Sequence, residues 1–424
     1  MTTNSITPVF EPIAYVRWQI HVWVILPPGP SRWKGRLTGV DFDLSAEQLE
    51  FRGVVRQFAQ EVVAPQAAES DREERFPLDV VKQMGALGLF GIPFPEAYGG
   101  SDADAITLCL AIEELGRVDQ SVGITLSAAV GLAGTMLNRF GTDEQKERWL
   151  VPLCRGEALG SFALTEPDAG SDAAAARTTA RLDNGEWVID GAKSFITNSG
   201  TPLTTFHVVA AATEPGGGPK GLSTIVVPAD APGIVVEQSY RKLGWHASDT
   251  HGLTFEGCRV PEANLLGERG RGFPQCLEIL TGARISISAL AVGLAQACLD
   301  ASVAYAKERT AFGRPIGANQ MIQSKIADMR AKVEMARLAT YRAAWLKDEG
   351  RPHVAEASLA KLVASEAAVD CAREAVQIHG GAGFIEESPV ARFYRDAKVL
   401  EIGEGTSEIL RLILARDLGL PEAF

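Results

Sequence analysis

The spacing of apolar residues changes twice along this chain, and this change constrains the fold more than any single motif. Residues from about 45 to 155 follow the period of amphipathic or buried helices. From about 158 to 265, short apolar runs alternate with turn residues, which is typical of strands. After Gly272 the helical period returns, roughly over 273–310, 318–350, 353–379 and 405–417. Helices followed by a sheet and then by more helices predict an α+β protein.

This order divides the chain into three domains after an unmatched first segment. We expect an N-terminal α-helical domain at 41–157, a middle β domain at 158–268 and a C-terminal four-helix bundle at 269–424. Residues 1–40 show neither a helical nor a strand period. We interpret them as a disordered extension or as residues translated upstream of the natural start, with a poorly formed mitochondrial presequence as the alternative.

Turn dipeptides predict two hairpins near the start of the β domain. Asn184-Gly185 separates an apolar run at 178–182 from one at 187–189, and Asp190-Gly191 separates the latter from one at 194–197. Such dipeptides favour the tight turns of β-hairpins. The pattern therefore predicts three short strands here.

Composition excludes several classes of partner. The net charge of −12 and the pI of about 5.2 argue against a nucleic-acid partner. No apolar run approaches the roughly 18 residues of a membrane span. The six cysteines are scattered without a C-x-x-C pair, and the six histidines show no H-E-x-x-H spacing. We therefore expect buried reduced thiols and no metal site.

Glu404 lies on a short glycine-flanked turn near the C-terminus. One helical run ends around Leu400, and another begins near Thr406, after Gly403-Glu404-Gly405. Flanking glycines let the backbone come close to a ligand or adopt a positive φ. A buried carboxylate on such a turn is a candidate general base. The alternative is an ordinary turn between helices with a solvated carboxylate.

Two motifs resemble those of the acyl-CoA dehydrogenase family: the T-E-P-D-A-G-S-D run at 165–172 and the Y-R-D-A-K…E-G-T run that contains Glu404. The resemblance extends from about Phe42 to the C-terminus. It implies the acyl-CoA dehydrogenase fold and the FAD-dependent conversion of an acyl-CoA thioester to a trans-2-enoyl-CoA. Electrons would pass to an electron-transfer flavoprotein. It also implies a homo-oligomer, usually a tetramer, located in the cytoplasm, or in the mitochondrial matrix if the source is eukaryotic.

The resemblance also implies a set of site residues. Those matching the family's cofactor site are Phe162, Leu164, Thr165, Gly170, Ser171, Phe195, Ile196, Thr197, Arg309, Phe312, Gln320, Gln377, Ile378, His379, Gly380, Gly381, Thr406 and Glu408. Those matching the substrate side are Ser171, Thr281, Arg284, Gly403 and Gly405. From the residues alone, Arg309 could equally be a solvated charge at a helix end. Glu408 would share a helical face with Glu404 if the turn between them were helical.

Glu404 matches the family's catalytic base. Some members carry the base on the long helix instead, at the position of Ala283, which cannot accept a proton. Many short- and medium-chain members carry Tyr where this chain has Gly403, so we expect a wider acyl cavity and a longer, branched or cyclic substrate. An oxidase of the same fold and a non-catalytic flavin or acyl-CoA binding protein remain the alternatives.

Overall fold

The computed structural model describes residues 43–214 and 216–421, and the predicted extension at 1–40 lies outside these residues. The first part of the described chain is helical. Ser45 caps the first helix through a reciprocal capping box with Gln48. The α-helices are α1 (Ala46–Phe58), α2 (Ala64–Arg72), α3 (Leu78–Ala86), α4 (Ala105–Gly116), α5 (Gln120–Ala128), α6 (Thr135–Phe140), α7 (Asp143–Gln145) and α8 (Val151–Cys154). Three π-helical segments, Ala59–Val63, Ala129–Gly134 and Lys146–Leu150, connect neighbouring helices without a break.

The chain then forms a mixed sheet. Its strands are β1 (Leu159–Ala163), β2 (Thr179–Asp183), β3 (Glu186–Thr197), β4 (Thr204–Ala212), β5 (Leu222–Pro228), β6 (Ile234–Val236), β7 (Thr250–Pro261) and β8 (Leu265–Leu266). The strand order is β6-β7-β3-β2-β4-β5-β8, and β1 pairs in parallel with β4. Side chains from these strands enclose a separate apolar core that includes Trp187, Phe255 and Val209.

One of the two predicted hairpins is wrong. Asn184-Gly185 does join β2 to β3, with Asp183 opposite Glu186. Asp190-Gly191, however, lies inside β3, which continues to Thr197. The register of β3 against β7 shifts between Ile189 and Gly191, and Gly191 has a φ of +146°. A bulge therefore accommodates the dipeptide that the sequence pattern indicated as a turn.

The C-terminal part is again helical. Its helices are α9 (Gly272–Glu308), α10 (Gln320–Asp348), α11 (Val354–His379), α12 (Pro389–Ala397) and α13 (Ser407–Asp417). The hairpin β9 (Thr310–Ala311) and β10 (Arg314–Pro315) joins α9 to α10. The 37-residue helix α9 packs against α4, α10 and α11. A Cβ at Gly293 would stand 2.4 Å from the Glu113 carbonyl oxygen, so α9 crosses α4 in backbone contact. The N- and C-terminal helices consequently share one apolar core.

The expectation that no segment is long and apolar enough to span a membrane needs correction. Gln120–Phe140 and Gly272–Glu308 both meet that criterion, but 89% and 72% of their most apolar windows are buried inside the fold. Such burial is typical of core helices in a protein of this size. The prediction about cysteines is confirmed, since all six are buried free thiols.

Candidate active site

The turn that carries Glu404 has an unusual backbone. A 3-10 helix at Lys398–Glu401 precedes it, and α13 begins only at Ser407, where the Thr406 side chain caps the helix. Glu404 has a φ of +55° and Gly405 a φ of +104°. A non-glycine residue in the left-handed region costs roughly 1–2 kcal/mol, so surrounding contacts must hold this turn.

The condition under which Glu404 and Glu408 would share a helical face is not met. The left-handed residues interrupt the helix, so Glu404 and Glu408 do not share a helical face. Glu408 is exposed in the first turn of α13. Its own backbone N–H and the Thr406 side chain lower the pKa of the Glu408 carboxyl. The structure therefore gives Glu408 a place at the helix start, separate from the Glu404 carboxyl.

Glu404 is half-buried as a residue, with one carboxyl oxygen shielded from solvent. Its Oε2 atom is buried without a hydrogen-bond partner. Burial raises the pKa of Glu404 to about 8, although the positive charges of Lys361 and Arg284 act in the opposite direction. A carboxyl group whose pKa lies near neutral is suited to accept a proton from a weak carbon acid.

Two cations contact the Glu404 turn from different helices. Arg284 on α9 is buried and directs its Nε atom at the Glu404 carbonyl oxygen, 3.5 Å away, and one terminal nitrogen at Ser358 Oγ, 3.4 Å away. Lys361 on α11 donates from Nζ to the Gly405 carbonyl oxygen at 2.8 Å. Ala283 is the buried neighbour of Arg284. The Thr281 hydroxyl donates to the Leu277 carbonyl within α9. The structure thus joins Arg284, Glu404 and Gly405, three of the predicted residues, in one cluster.

The T-E-P loop is tied to the last residues of β3. The Ser194 N–H donates to the Thr165 carbonyl at 2.9 Å. Lys193, also on β3, is buried and donates to the Leu164 carbonyl at 3.1 Å and to Glu166 Oε1 at 2.7 Å. Burial opposes ionisation of Glu166, but Lys193 and backbone donors outweigh it, so the pKa of Glu166 stays below its ordinary value. The two segments expected to hold one cofactor ring are therefore rigidly connected.

The predicted residues of these two segments differ in exposure. Ile196 and Leu164 are buried, so their side chains belong to the core. Phe195 is 66% exposed and has a φ of +61°, and its ring contacts the Tyr240 ring in a tilted arrangement with centroids 5.1 Å apart. Phe162, Thr165 and Thr197 are half-buried, whereas Gly170 and Ser171 lie on the exposed loop. Phe195 thus presents an aromatic face to the outside of the β domain.

A second group of predicted residues gathers at the end of α9. The Arg309 N–H donates to the Tyr305 carbonyl, and the Tyr305 ring stacks on the His379 ring at a centroid distance of 4.2 Å. Phe312, on the β9–β10 hairpin, is fully exposed. Gln320, Gln377, Gly380 and Gly381 are exposed as well, and Ile378 is buried in the core. No hydrogen bond or ring contact among residues 43–214 and 216–421 joins this group to the T-E-P loop.

Sequence reasoning missed two buried lysines, Lys193 and Lys361, which are 1% exposed each. Lys361 lies in a mostly apolar stretch at 357–364, and Lys193 lies within a strand. A single lysine within a mostly apolar stretch was the available signal, because lysine is almost never fully buried unless it is paired.

Most of the described chain matches the three domains of one protein family. Models described as the N-terminal, middle and C-terminal domains of acyl-CoA dehydrogenase match residues 45–157, 161–258 and 270–419.

Individual relatives match over nearly their full lengths. A probable acyl-CoA dehydrogenase of Bacillus subtilis, YngJ, is 50% identical over 379 residues, covering 89% of this chain and 100% of the relative. A short-chain specific acyl-CoA dehydrogenase of Clostridium acetobutylicum is 43% identical, covering 89% of this chain and 99% of the relative. The solved structure of butyryl-CoA dehydrogenase from Megasphaera elsdenii is 40% identical with a TM-score of 0.87, covering 89% of this chain and 99% of that one.

Proposed function

This chain belongs to the acyl-CoA dehydrogenase family, and we propose that it α,β-dehydrogenates a short acyl-CoA thioester with Glu404 as the general base. Such a reaction removes a proton from the α-carbon and a hydride from the β-carbon. The products are a trans-2-enoyl-CoA and a reduced flavin.

The state of the Glu404 carboxyl carries this proposal. Its Oε2 atom is buried and unpaired, and its pKa is raised to about 8. Ala283, at the other place where the family carries a base, has no ionisable group. A desolvated carboxylate is a far stronger base than a solvated one, which narrows the acidity gap to a thioester α-proton.

The same turn offers a donor for the thioester oxygen. No described residue accepts a hydrogen bond from the Glu404 N–H, while Gly403 N–H donates to Val399 in the turn before it. A backbone donor aimed at the thioester oxygen would stabilise the negative charge that develops when the α-proton leaves. We propose that the Glu404 N–H fills this role, beside the base itself.

The residues present fit an FAD cofactor. Phe195 exposes an aromatic face suitable for stacking on a flat ring, and Thr165 and Thr197 lie half-buried beside it. Arg309 directly precedes the β9–β10 hairpin and Phe312 lies on it, and both are exposed. An exposed arginine suits the phosphates of a cofactor bound mainly by a neighbouring subunit, and an exposed aromatic ring suits its adenine. When bound, FAD supplies the acceptor for the β-hydride.

Partners follow from the same arrangement. A cofactor shared between subunits requires a homo-oligomer, and we propose a tetramer. We further propose that an electron-transfer flavoprotein reoxidises the cofactor, as the family resemblance implies.

Two observations point to different sizes of the acyl group. The names of the Clostridium relative and the Megasphaera structure favour short acyl groups. A Cβ at Gly403 would meet only the Val399 carbonyl oxygen, at 3.6 Å, so this position leaves room that a larger side chain would fill. We propose a short acyl chain with branching, which uses the extra width.

Anaerobic mixing of the yellow protein with a panel of straight and branched acyl-CoA thioesters tests this function. Bleaching of the flavin by a short acyl-CoA supports a dehydrogenation, and the absence of bleaching by every member of the panel contradicts it. Repeating the measurement in air separates a dehydrogenase from an oxidase, because an oxidase turns over with oxygen as the acceptor.

A further inference from the structure

The left-handed turn at Glu404 and Gly405 is held by two carbonyl contacts, and each contact comes from a buried cation. The Arg284 contact to the Glu404 carbonyl is long, at 3.5 Å, whereas the Lys361 contact to the Gly405 carbonyl is 2.8 Å. The latter lies within the range of strong N–H···O hydrogen bonds. Of the two cations, Lys361 therefore makes the stronger contact to the turn.

Lys361 makes no second hydrogen bond among the described residues. Its side chain is 1% exposed on a helix whose neighbouring residues are Ala360 and Leu362. An ammonium group has three donors, and the Gly405 carbonyl is the one hydrogen-bond acceptor found for it among the described residues. Burying a charge with a single neutral acceptor is unfavourable, so packing alone does not account for this lysine.

The charges around Lys361 connect it to the base. Glu404, Glu401 and Glu408 raise its pKa, Arg284 lowers it, and burial, the largest effect, brings it to about 8. The groups that face Glu404 are Lys361 on α11 and Arg284 on α9. Lys361 Nζ makes no ion pair within 4.0 Å of the Glu404 carboxylate, and the two groups affect each other's ionisation through space, across the Gly405 carbonyl contact.

We propose that Lys361 is a positioning residue for the general base. It fixes the Gly405 carbonyl, and thereby the direction of the peptide that follows Glu404, and its charge stabilises the ionised form of the Glu404 carboxyl. This inference rests on the proposed function, because it assigns Lys361 a role through Glu404. It goes beyond that function by naming a residue that holds the turn of the base and lowers the pH at which the base ionises.

Three substitutions separate the charge of Lys361 from its hydrogen bond. Lys361→Met removes both, Lys361→Gln keeps a neutral N–H donor, and Lys361→Arg keeps the charge. Lys325→Met is the matched control. Lys325 lies on α10 and forms an ion pair with Glu374, and neither residue is among the charges that act on Glu404. All variants are prepared as FAD-loaded oligomers, and flavin content is measured before kinetics.

The main measurement is the pH profile of kcat/KM. The positive charge of Lys361 lowers the pKa of the Glu404 carboxyl. Without that charge, the Met and Gln variants should therefore move the acid limb of the profile to higher pH, by about one unit, the low end of the effect of a nearby opposite charge. At a pH below this limb, kcat/KM of the Met and Gln variants should then be about tenfold lower than that of the wild type, because a shift of one pKa unit lowers the ionised fraction of the base tenfold. The loss should appear mainly in kcat. Lys361→Arg and Lys325→Met should keep the wild-type limb. A wild-type profile in Lys361→Met, or an equal shift in Lys325→Met, would overturn the proposal.

Two further variants keep the outcome decisive. Glu404→Gln tests the base itself: retained turnover refutes the proposed function, whereas an inactive Glu404→Gln with an unshifted Lys361→Met refutes only the role of Lys361. If Lys361→Met does not fold, it is combined with Glu404→Gln. Recovery of folded, flavin-loaded protein in the double variant supports charge coupling between the two residues, and an equally unstable double variant contradicts it.

Discussion

Replacing Glu404 with glutamine should stabilise the protein by an amount that grows with pH. The pKa of the carboxyl rises from 4.5 to about 8 on folding because burial disfavours the charged form. Between these values the unfolded chain releases the proton and the folded chain keeps it, so the wild type loses stability as pH rises through this window. Glutamine does not titrate, and its variant escapes this loss.

The structure sets the size of the effect. One pKa unit corresponds to about 1.4 kcal/mol, so the full shift gives at most about 5 kcal/mol above the folded-state pKa and nothing below the unfolded one. The charges of Lys361 and Arg284 already lower this pKa, and their contribution is included in its value of about 8. We expect a measurable gain of a few kcal/mol near pH 8 that vanishes towards pH 4.

Thermal unfolding of the FAD-loaded protein over this pH range provides the assay. Wild type, Glu404→Gln and the control Glu387→Gln, which removes an exposed carboxylate, are heated at one rate with equal free FAD. The difference in Tm between Glu404→Gln and wild type should widen as pH rises, while the control stays close to wild type. A constant difference, or one that widens as pH falls, would refute a desolvated Glu404.

Three other substitutions test separate parts of the structure. Arg309→Ala should lower both FAD content and oligomer stability, and a stable tetramer with full flavin in absorbance and size-exclusion measurements would refute the shared role. Lys193→Met should lower the free energy of unfolding by about 3–5 kcal/mol, because it leaves the Glu166 carboxylate buried without its cation. Unchanged stability in denaturant unfolding would show that this ion pair does not stabilise the fold. Gly403→Tyr should lower kcat/KM for branched substrates relative to butyryl-CoA by about 1–3 kcal/mol of barrier, and an unchanged ratio in a folded variant would remove the wide-pocket hypothesis.

The sequence predicted the order of helices and strands because that order follows from local periodicity. It predicted the Glu404 turn for the same reason, since flanking glycines are a local signal. The prediction from sequence failed where contacts with residues distant in the chain determine the local structure. Asp190-Gly191 became a bulge because β7 continues to pair on both sides of it, and local turn propensity cannot register that pairing.

The two buried lysines show the same limit. Lys361 reaches the Gly405 carbonyl from 44 positions away in the chain, and Lys193 reaches Glu166 from 27 positions away. No periodic pattern specifies such contacts, because they depend on how α11 and β3 are placed in the folded protein. The raised pKa of Glu404 likewise depends on burial by several elements together.

Anaerobic flavin reduction in wild type and Glu404→Gln tests the central claim most directly. Both proteins are loaded with FAD to the same absorbance and mixed with a short acyl-CoA, and the loss of the yellow colour is followed. Wild type should bleach, and Glu404→Gln should retain its cofactor and remain yellow. Bleaching of the variant within about tenfold of the wild-type rate, equivalent to only ~1.4 kcal/mol of barrier, would contradict the assignment of Glu404 as the base.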